Sequence, residues 1–351
     1  MMKNTQNQQK ILSILVENDS LSSSDIHNQL TKTGQEISLV TIKRELGDLK
    51  EAGLLNSFGA GRSVKYSISS LGRLGLDIDV KKYCSVEPDR RYGLKQYNFD
   101  LFASLPKEIF TDSELIKLNN ATEIYHSNIK SISDTLKEKE LERFVIELSW
   151  KSSRIEGNTY TLLDTENLIN KNILAPGHDK SEAIMILNHK EAFKFVREHT
   201  HLFKKLNPSD LEDVHKILVK DLNVNYGYRS KGVGVTGSIY RPLDNIHQIK
   251  EAITLLCDRI NSMSSPYAKA MSILLGISYI QPFEDGNKRT SRIMANAILL
   301  AHGYSPLSYR SVDENEYREA VLVFYELNSI VSFKKIFIDQ YIFASKNYAV
   351  K

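Results

Sequence analysis

Apolar residues recur at helical spacing along most of this chain, with two short stretches that alternate instead. The first helix covers Gln8–Glu17. Ser22-Ser23-Ser24-Asp25 supplies N-cap chemistry for a second helix through Lys32. Ser38 caps a third, in which Leu39, Ile42, Leu46 and Leu49 repeat on one face and Gly53 ends the run. Residues 54–68 then alternate around Gly59-Ala60-Gly61, a hairpin pattern. Further along, Leu141, Phe144, Val145, Leu148, Ser152 and Ile155 mark one face of a helix over 137–156, ended by Gly157-Asn158. Met271–Ile280 is almost continuously apolar, as in a helix buried on all sides. Asn287–His302 and 316–328 read as helices, and Gly232–Pro242 as a short hairpin.

Three helices followed by a hairpin resemble a winged helix-turn-helix. On that reading the third helix presents Ser38, Thr41, Lys43, Arg44 and Lys50, and the wing presents Arg62 and Lys65, to a duplex. Such a helix enters the major groove while flanking cations contact phosphates. The charge is modest, with 9 Lys+Arg against 7 Asp+Glu over residues 1–76. Winged helices also join proteins to one another, so double-stranded DNA and a homodimer both stay open as partners.

The stretch Gln281-Pro282-Phe283-Glu284-Asp285-Gly286-Asn287-Lys288-Arg289-Thr290-Ser291-Arg292 carries the chemistry. Pro282 stops one helix and Asp285-Gly286 turns the chain into the next. A glycine turn feeding a helix N-terminus aims free backbone N–H groups and the positive dipole end at one spot, which suits an anion. Lys288 and Arg289 have the wrong sign for that dipole, so helix stability does not explain them. Arg289 and Arg292 share a face. Asp285 beside them can hold a Mg²⁺ ion that bridges phosphates.

The stretch resembles the signature loop of the Fic (Fido) family, HPFx[D/E]GN[G/K]RxxR, whose members transfer AMP from ATP to protein hydroxyls. The resemblance implies that Asp285 binds Mg²⁺ and that Gly286 and Asn287 cradle the α- and β-phosphates. It implies that Arg289 and Arg292 clamp the β- and γ-phosphates, with Lys288 beside them. One residue departs from the pattern: Gln281 stands where the family has its catalytic histidine. Glutamine has no titratable group and cannot take a proton, and losing a general base typically costs about 10²–10⁴ in rate. Of the nine histidines, only His247, just after the expected hairpin, comes near to a substitute.

Ser152-Ser153-Arg154-Ile155-Glu156-Gly157 is similar to the family's inhibitory motif, [S/T]xxxE[G/N]. Ser152 and Glu156 are four apart and share a helix face. In the family that glutamate pairs with the second arginine of the loop, here Arg292, and blocks productive ATP binding. The Gly232–Pro242 hairpin resembles the family flap, at which Val235, Thr236 and Gly237 would pair with an extended target protein. Asn328 falls in the region from which members take an amide beside adenine.

The remaining sequence sets bounds. Its 351 residues are 41% hydrophobic and 25% charged, with a net charge of +3, the composition of a globular protein. Cys84 and Cys257 lie far apart without metal-ligand spacing. No signal peptide or membrane-length apolar run appears, so the expected location is the cytoplasm. The expected fold is mainly α: a winged helix-turn-helix over 1–76, a mixed-charge linker over 77–110, and an all-helical Fic-type domain with a small β-hairpin flap over 111–345. Three functions fit: an ATP-binding module tied to a DNA-binding domain with AMP transfer weak or lost, a working autoinhibited adenylyltransferase, and a hydrolase of AMP-modified proteins.

Overall fold

The computed structural model describes residues 4–350, apart from the side chain of Arg62. The chain divides into two compact units. The first comprises Met1–Pro106, Gly234–Arg241 and Glu319–Lys334; the second comprises Lys107–Val233, Pro242–Arg318 and Lys335–Lys351.

The first unit begins with α1 (Gln6–Glu17), β1 (Leu21–Ser22), α2 (Ser23–Lys32) and α3 (Leu39–Glu51). Each helix start is capped by a hydroxyl: Thr5 on Gln8 N, Ser22 on Asp25 N and Ser38 on Thr41 N. These satisfy amides that a helix leaves open at its first turn. β2 (Leu55–Phe58) and β3 (Lys65–Ile68) pair antiparallel, with Leu55 opposite Ile68 and Phe58 opposite Lys65. β1 adds to the other edge of β3, giving the order β1-β3-β2. Two residues are too few to show alternation, which is why the sequence pattern does not reveal β1.

Ile11, Leu12 and Leu15 of α1, Ile26 and Leu30 of α2, and Ile42, Leu46 and Leu49 of α3 meet in one core. This core does not close within residues 1–76. Tyr83, Val323 and Leu327 belong to it as well. After α4 (Ser70–Leu74), the stretch expected as a linker forms α5 (Val80–Cys84) and α6 (Leu101–Ser104) and buries Tyr83, Tyr97, Leu101 and Phe102. Charged residues separate these apolar positions, so no periodicity betrays them.

The hairpin expected over Gly232–Pro242 is not formed. Ser238 N donates to Val235 O (3.1 Å) in a single turn with Gly237 at φ 76°. Arg241 makes an isolated parallel bridge with Gln96, its N–H donating to Lys95 O at 3.0 Å. A side chain diverts the donors that a hairpin would use. The fully buried Glu326 carboxylate accepts from Ile239 N (3.0 Å), Ser238 Oγ (2.7 Å) and Tyr83 Oη (2.7 Å), and pairs with Arg91 at 3.3 Å.

The second unit is helical: α7 (Asp112–Ser131), α8 (Asp134–Ile155), α9 (Leu162–Lys171), α10 (Lys180–Glu198), α11 (Pro208–Leu218), α12 (Ile246–Asn261), α13 (Pro266–Ile280) and α14 (Asn287–Ala301). The first residues of α15 (Glu314–Leu327) and most of α16 (Val331–Asn347) complete it. α13 is buried along its whole length from Tyr267 to Ile280 and packs on α12 and α14. α14 also contacts α8, α10 and α11. The loop between α13 and α14 is therefore held by the best-packed part of the unit.

Candidate functional site

The site is built where α13 ends and α14 begins. Gln281 closes α13 in the left-handed region (φ 51°, ψ 57°), and Gly286 opens α14 there too (φ 78°). The side chain of Asn287 braces the turn between them. Its Oδ1 accepts from Phe283 N and its Nδ2 donates to Phe283 O, both at 2.9 Å. Phe283 is buried and stacks on His215, with ring centroids 3.7 Å apart and 5° between planes. His215 Nε2 reaches Asp285 O at 2.9 Å. Burial, helped by Arg289, pulls His215 down to about 4 despite that hydrogen bond. Arg229 fastens the other side: Nε donates to Gln281 O (2.6 Å), Nη1 to Lys231 O (2.7 Å), Nη2 to Leu243 O, and its backbone N to Pro282 O (2.9 Å).

Five charged side chains converge beside this turn. Arg292 is fully buried and its Nη2 lies 2.8 Å from Glu156 Oε1. Lys288 Nζ stands 3.5 Å from the other oxygen of Glu156. Arg289 Nη2 pairs with Asp285 Oδ2 at 2.8 Å, while the Asp285 side chain stays 63% exposed. Burial pushes the Glu156 carboxyl up, but Arg292, Lys288 and Arg289 together outweigh it and hold the group below the usual carboxylate range. Burial lowers Arg289, and Asp285 and Glu156 only partly offset this.

α8 brings Ser152 and Glu156 to this point, one helical turn apart. Ser152 is fully buried and holds Arg292 twice: Oγ accepts from Nε at 2.7 Å and the backbone O accepts from Nη2 at 2.8 Å. Arg318 fixes the end of α8, with Nε (3.0 Å) and Nη2 (2.6 Å) both donating to Ile155 O. The Tyr317 ring lies 5.9 Å from the Arg292 guanidinium carbon. Gln281 is nearly buried, and its Nε2 donates to Ser278 O at 2.6 Å.

The residues fit a phosphate-bearing ligand on three counts. α14 begins with no side-chain cap, so the amides of its first turn keep their donor capacity. Gly286 has a left-handed φ of 78°, and a Cβ there would crowd Val219 Cγ1 at 3.2 Å, so the cradle favours glycine. Arg292 Nη1 is buried without a hydrogen-bond partner, an open donor in the middle of the site. Among the described residues no group of three or more His, Cys, Asp or Glu could form a metal cage by itself. Mg²⁺ does not need one, since it is usually held by one or two carboxylates together with substrate phosphates.

The other expected site residues have surroundings of their own. Asn328 belongs to the first unit, where Nδ2 donates to Phe324 O (3.0 Å) and Oδ1 accepts from Asn98 Nδ2 (2.9 Å). Its amide is thus committed to closing α15. Val235, Thr236 and Gly237 form the turn described above, with Thr236 and Gly237 exposed. His247 is exposed in the first turn of α12. Ser38 is used in capping and also meets Thr41 Oγ1 at 2.9 Å. Lys43, Arg44 and Lys65 are exposed; Arg44 pairs with Glu45 at 3.2 Å but keeps 69% of its side chain in solvent. The Arg62 side chain lies outside the described residues.

Residues 205–299 match the Fic/DOC family, and residues 1–72 match the Ferric uptake regulator family. The chain is 30% identical over 176 residues to a protein adenylyltransferase Fic of Nematostella vectensis, covering 48% of this chain and 41% of that protein. It is 26% identical over 204 residues to the corresponding protein of Aedes aegypti, covering 56% and 40%. The match thus spans about two fifths of these relatives. A Fic-domain-containing signaling protein from Bacteroides thetaiotaomicron superposes with a TM-score of 0.55 at 20% identity, over 65% of this chain and 94% of that one. Fic-1 of Caenorhabditis elegans superposes with a TM-score of 0.57 at 17% identity, over 67% and 71%. At that identity the likeness concerns the fold. The fold is that of a helical Fic-type domain. Residues 205–299 thus carry a Fic/DOC-like domain, and the N-terminal segment is a Ferric-uptake-regulator-like winged helix.

Proposed function

We propose that the chain binds Mg·ATP at the turn between α13 and α14, that Glu156 limits this binding, and that AMP transfer is weak or lost. The observation that carries the reading is the 2.8 Å pair between Glu156 and the buried Arg292 beside an uncapped helix N-terminus. The amides of α14 and the Arg289 guanidinium receive phosphate oxygens. Asp285, exposed beside this turn, would hold the metal ion, which would supply charge neutralisation for the phosphates. Arg292, held in place by Ser152, exchanges Glu156 for the terminal phosphate. Gln281 cannot accept the proton of an attacking hydroxyl, and its amide is already engaged with Ser278 O. Exposed Lys43, Arg44 and Lys65 support a DNA-contacting role for the N-terminal segment, so nucleotide occupancy would serve regulation. A protein partner at the flap residues Val235–Gly237 belongs to the same reading.

A second reading has support in the intact Glu156–Arg292 pair and in the likeness to protein adenylyltransferases: an autoinhibited protein adenylyltransferase. One experiment separates the two. The natural chain, Glu156→Gly, and Glu156→Gly with Gln281→His are incubated with Mg²⁺ and α-labelled ATP, and label is followed on the chain itself and on lysate proteins. We expect transfer only from the form carrying the histidine. Transfer by Glu156→Gly alone overturns the regulatory reading in favour of the enzyme.

A further inference from the structure

The Ser152 hydroxyl that holds Arg292 has a buried neighbour of its own. His189, on α10, is fully buried and its Nε2 lies 2.6 Å from Ser152 Oγ. That oxygen already accepts from Arg292 Nε. A guanidinium only donates, whereas a hydroxyl carries one proton and must place it on an acceptor. The imidazole nitrogen stands where that acceptor is needed. Nδ1 faces the Met185 carbonyl one turn earlier without a well-aligned hydrogen bond. Burial, and then the charges of Arg292 and Arg289, hold His189 well below its ordinary value. A protonated ring would offer donors only and leave the Ser152 proton without a partner.

We propose that His189 is a positioning residue whose bare Nε2 accepts the Ser152 hydroxyl proton, so that Ser152 fixes the Arg292 guanidinium for whichever anion stands in the place of Glu156. This rests on the reading of Arg292 as the phosphate-binding arginine. Glutamate and phosphate then compete for one preset cation, and the cost of ordering that cation is met in the empty protein.

Two measurements on the full chain test the proposal. Side-chain ¹⁵N spectra should show His189 with its proton on Nδ1 and unchanged between pH 8 and pH 6, and Ser152→Ala should shift its Nε2 resonance. A proton on Nε2, or an imidazolium, overturns the proposal. In the Glu156→Gly background, calorimetry with Mg·ATP should show His189→Phe weakening binding about tenfold, the loss of one hydrogen bond serving a charged group. His189→Gln, whose amide oxygen can accept the same proton, should bind within about threefold of the background. Equal affinity for the Phe and Gln forms overturns the proposal. If His189→Phe does not fold, the Gln form and the spectra decide. If Glu156→Gly binds no Mg·ATP, the nucleotide reading fails, and the tautomer and the Ser152→Ala shift alone decide on His189.

Discussion

Glu156→Gln changes almost no volume and removes the anion beside a guanidinium that is 0% exposed. Two contacts to Ser152 and the Tyr317 ring remain, and none of them is a counter-charge. Removing one partner of a buried ion pair costs about 3–5 kcal/mol. The Glu156 side chain keeps 18% of its surface, so water reaches the pair and the low end of that range, ~3 kcal/mol, is expected. Acid should act as the substitution does. The carboxyl of Glu156 is depressed in the folded chain, so its contribution is complete above about 4.5 and is lost as pH falls through the lower folded value. The parent should therefore lose more stability than the variant in that acid window. Trp150, the single tryptophan, sits on α8 near the motif and reports urea unfolding of this unit by fluorescence. Mg·ATP at a hundred times its dissociation constant should return about 2.7 kcal/mol to the variant. Unfolding midpoints that agree within ~0.5 kcal/mol at pH 7, against the several kcal/mol typical of a broken buried pair, would refute the reasoning.

Three further outcomes are expected. Glu326→Leu strands the Arg91 charge and the donors of Ser238 and Ile239; the first unit should lose about 3–5 kcal/mol, and hydrogen exchange at the Ile239 amide should accelerate by orders of magnitude. His215 should stay neutral down to about pH 4 in histidine NMR titrations; because its folded value is lowered from 6.5, it contributes stability that is full above 6.5 and lost on the way to about 4. The full chain with Lys43→Glu and Arg44→Glu should bind duplex DNA more weakly than the parent and with a shallower salt dependence, since two phosphate contacts vanish; an unchanged gel-shift series would exclude α3 as the DNA-facing helix.

Much of the fold was legible because its signals are local. Hydroxyl caps at Ser22 and Ser38, the Gly59–Gly61 turn and the apolar run before Gln281 each act within a few residues; the capped starts and the helix end at Ile280 fall where they were expected, while that last helix starts five residues earlier, at Pro266. The loop residues 285–292 were legible for the same reason. What escaped are partners fixed only by tertiary packing. His189, Arg229 and Arg318 lie 37, 52 and 163 positions from the groups they hold. None stands in a pattern that spacing could expose. The hairpin at 232–242 failed on a similar ground: strand propensity was real, but one buried carboxylate from α15 claimed its donors.

The first unit is assembled from three separated stretches of chain, and its core includes Val323 and Leu327. During synthesis that core stays unfinished until most of the polypeptide has left the ribosome. At about 5–20 residues per second, the last of these residues follow residue 76 by some tens of seconds. The N-terminal segment, although made first, must wait with exposed apolar surface for its closing helix. The closing of that core is thereby timed to the emergence of α15, and a product truncated before it leaves part of that apolar surface uncovered.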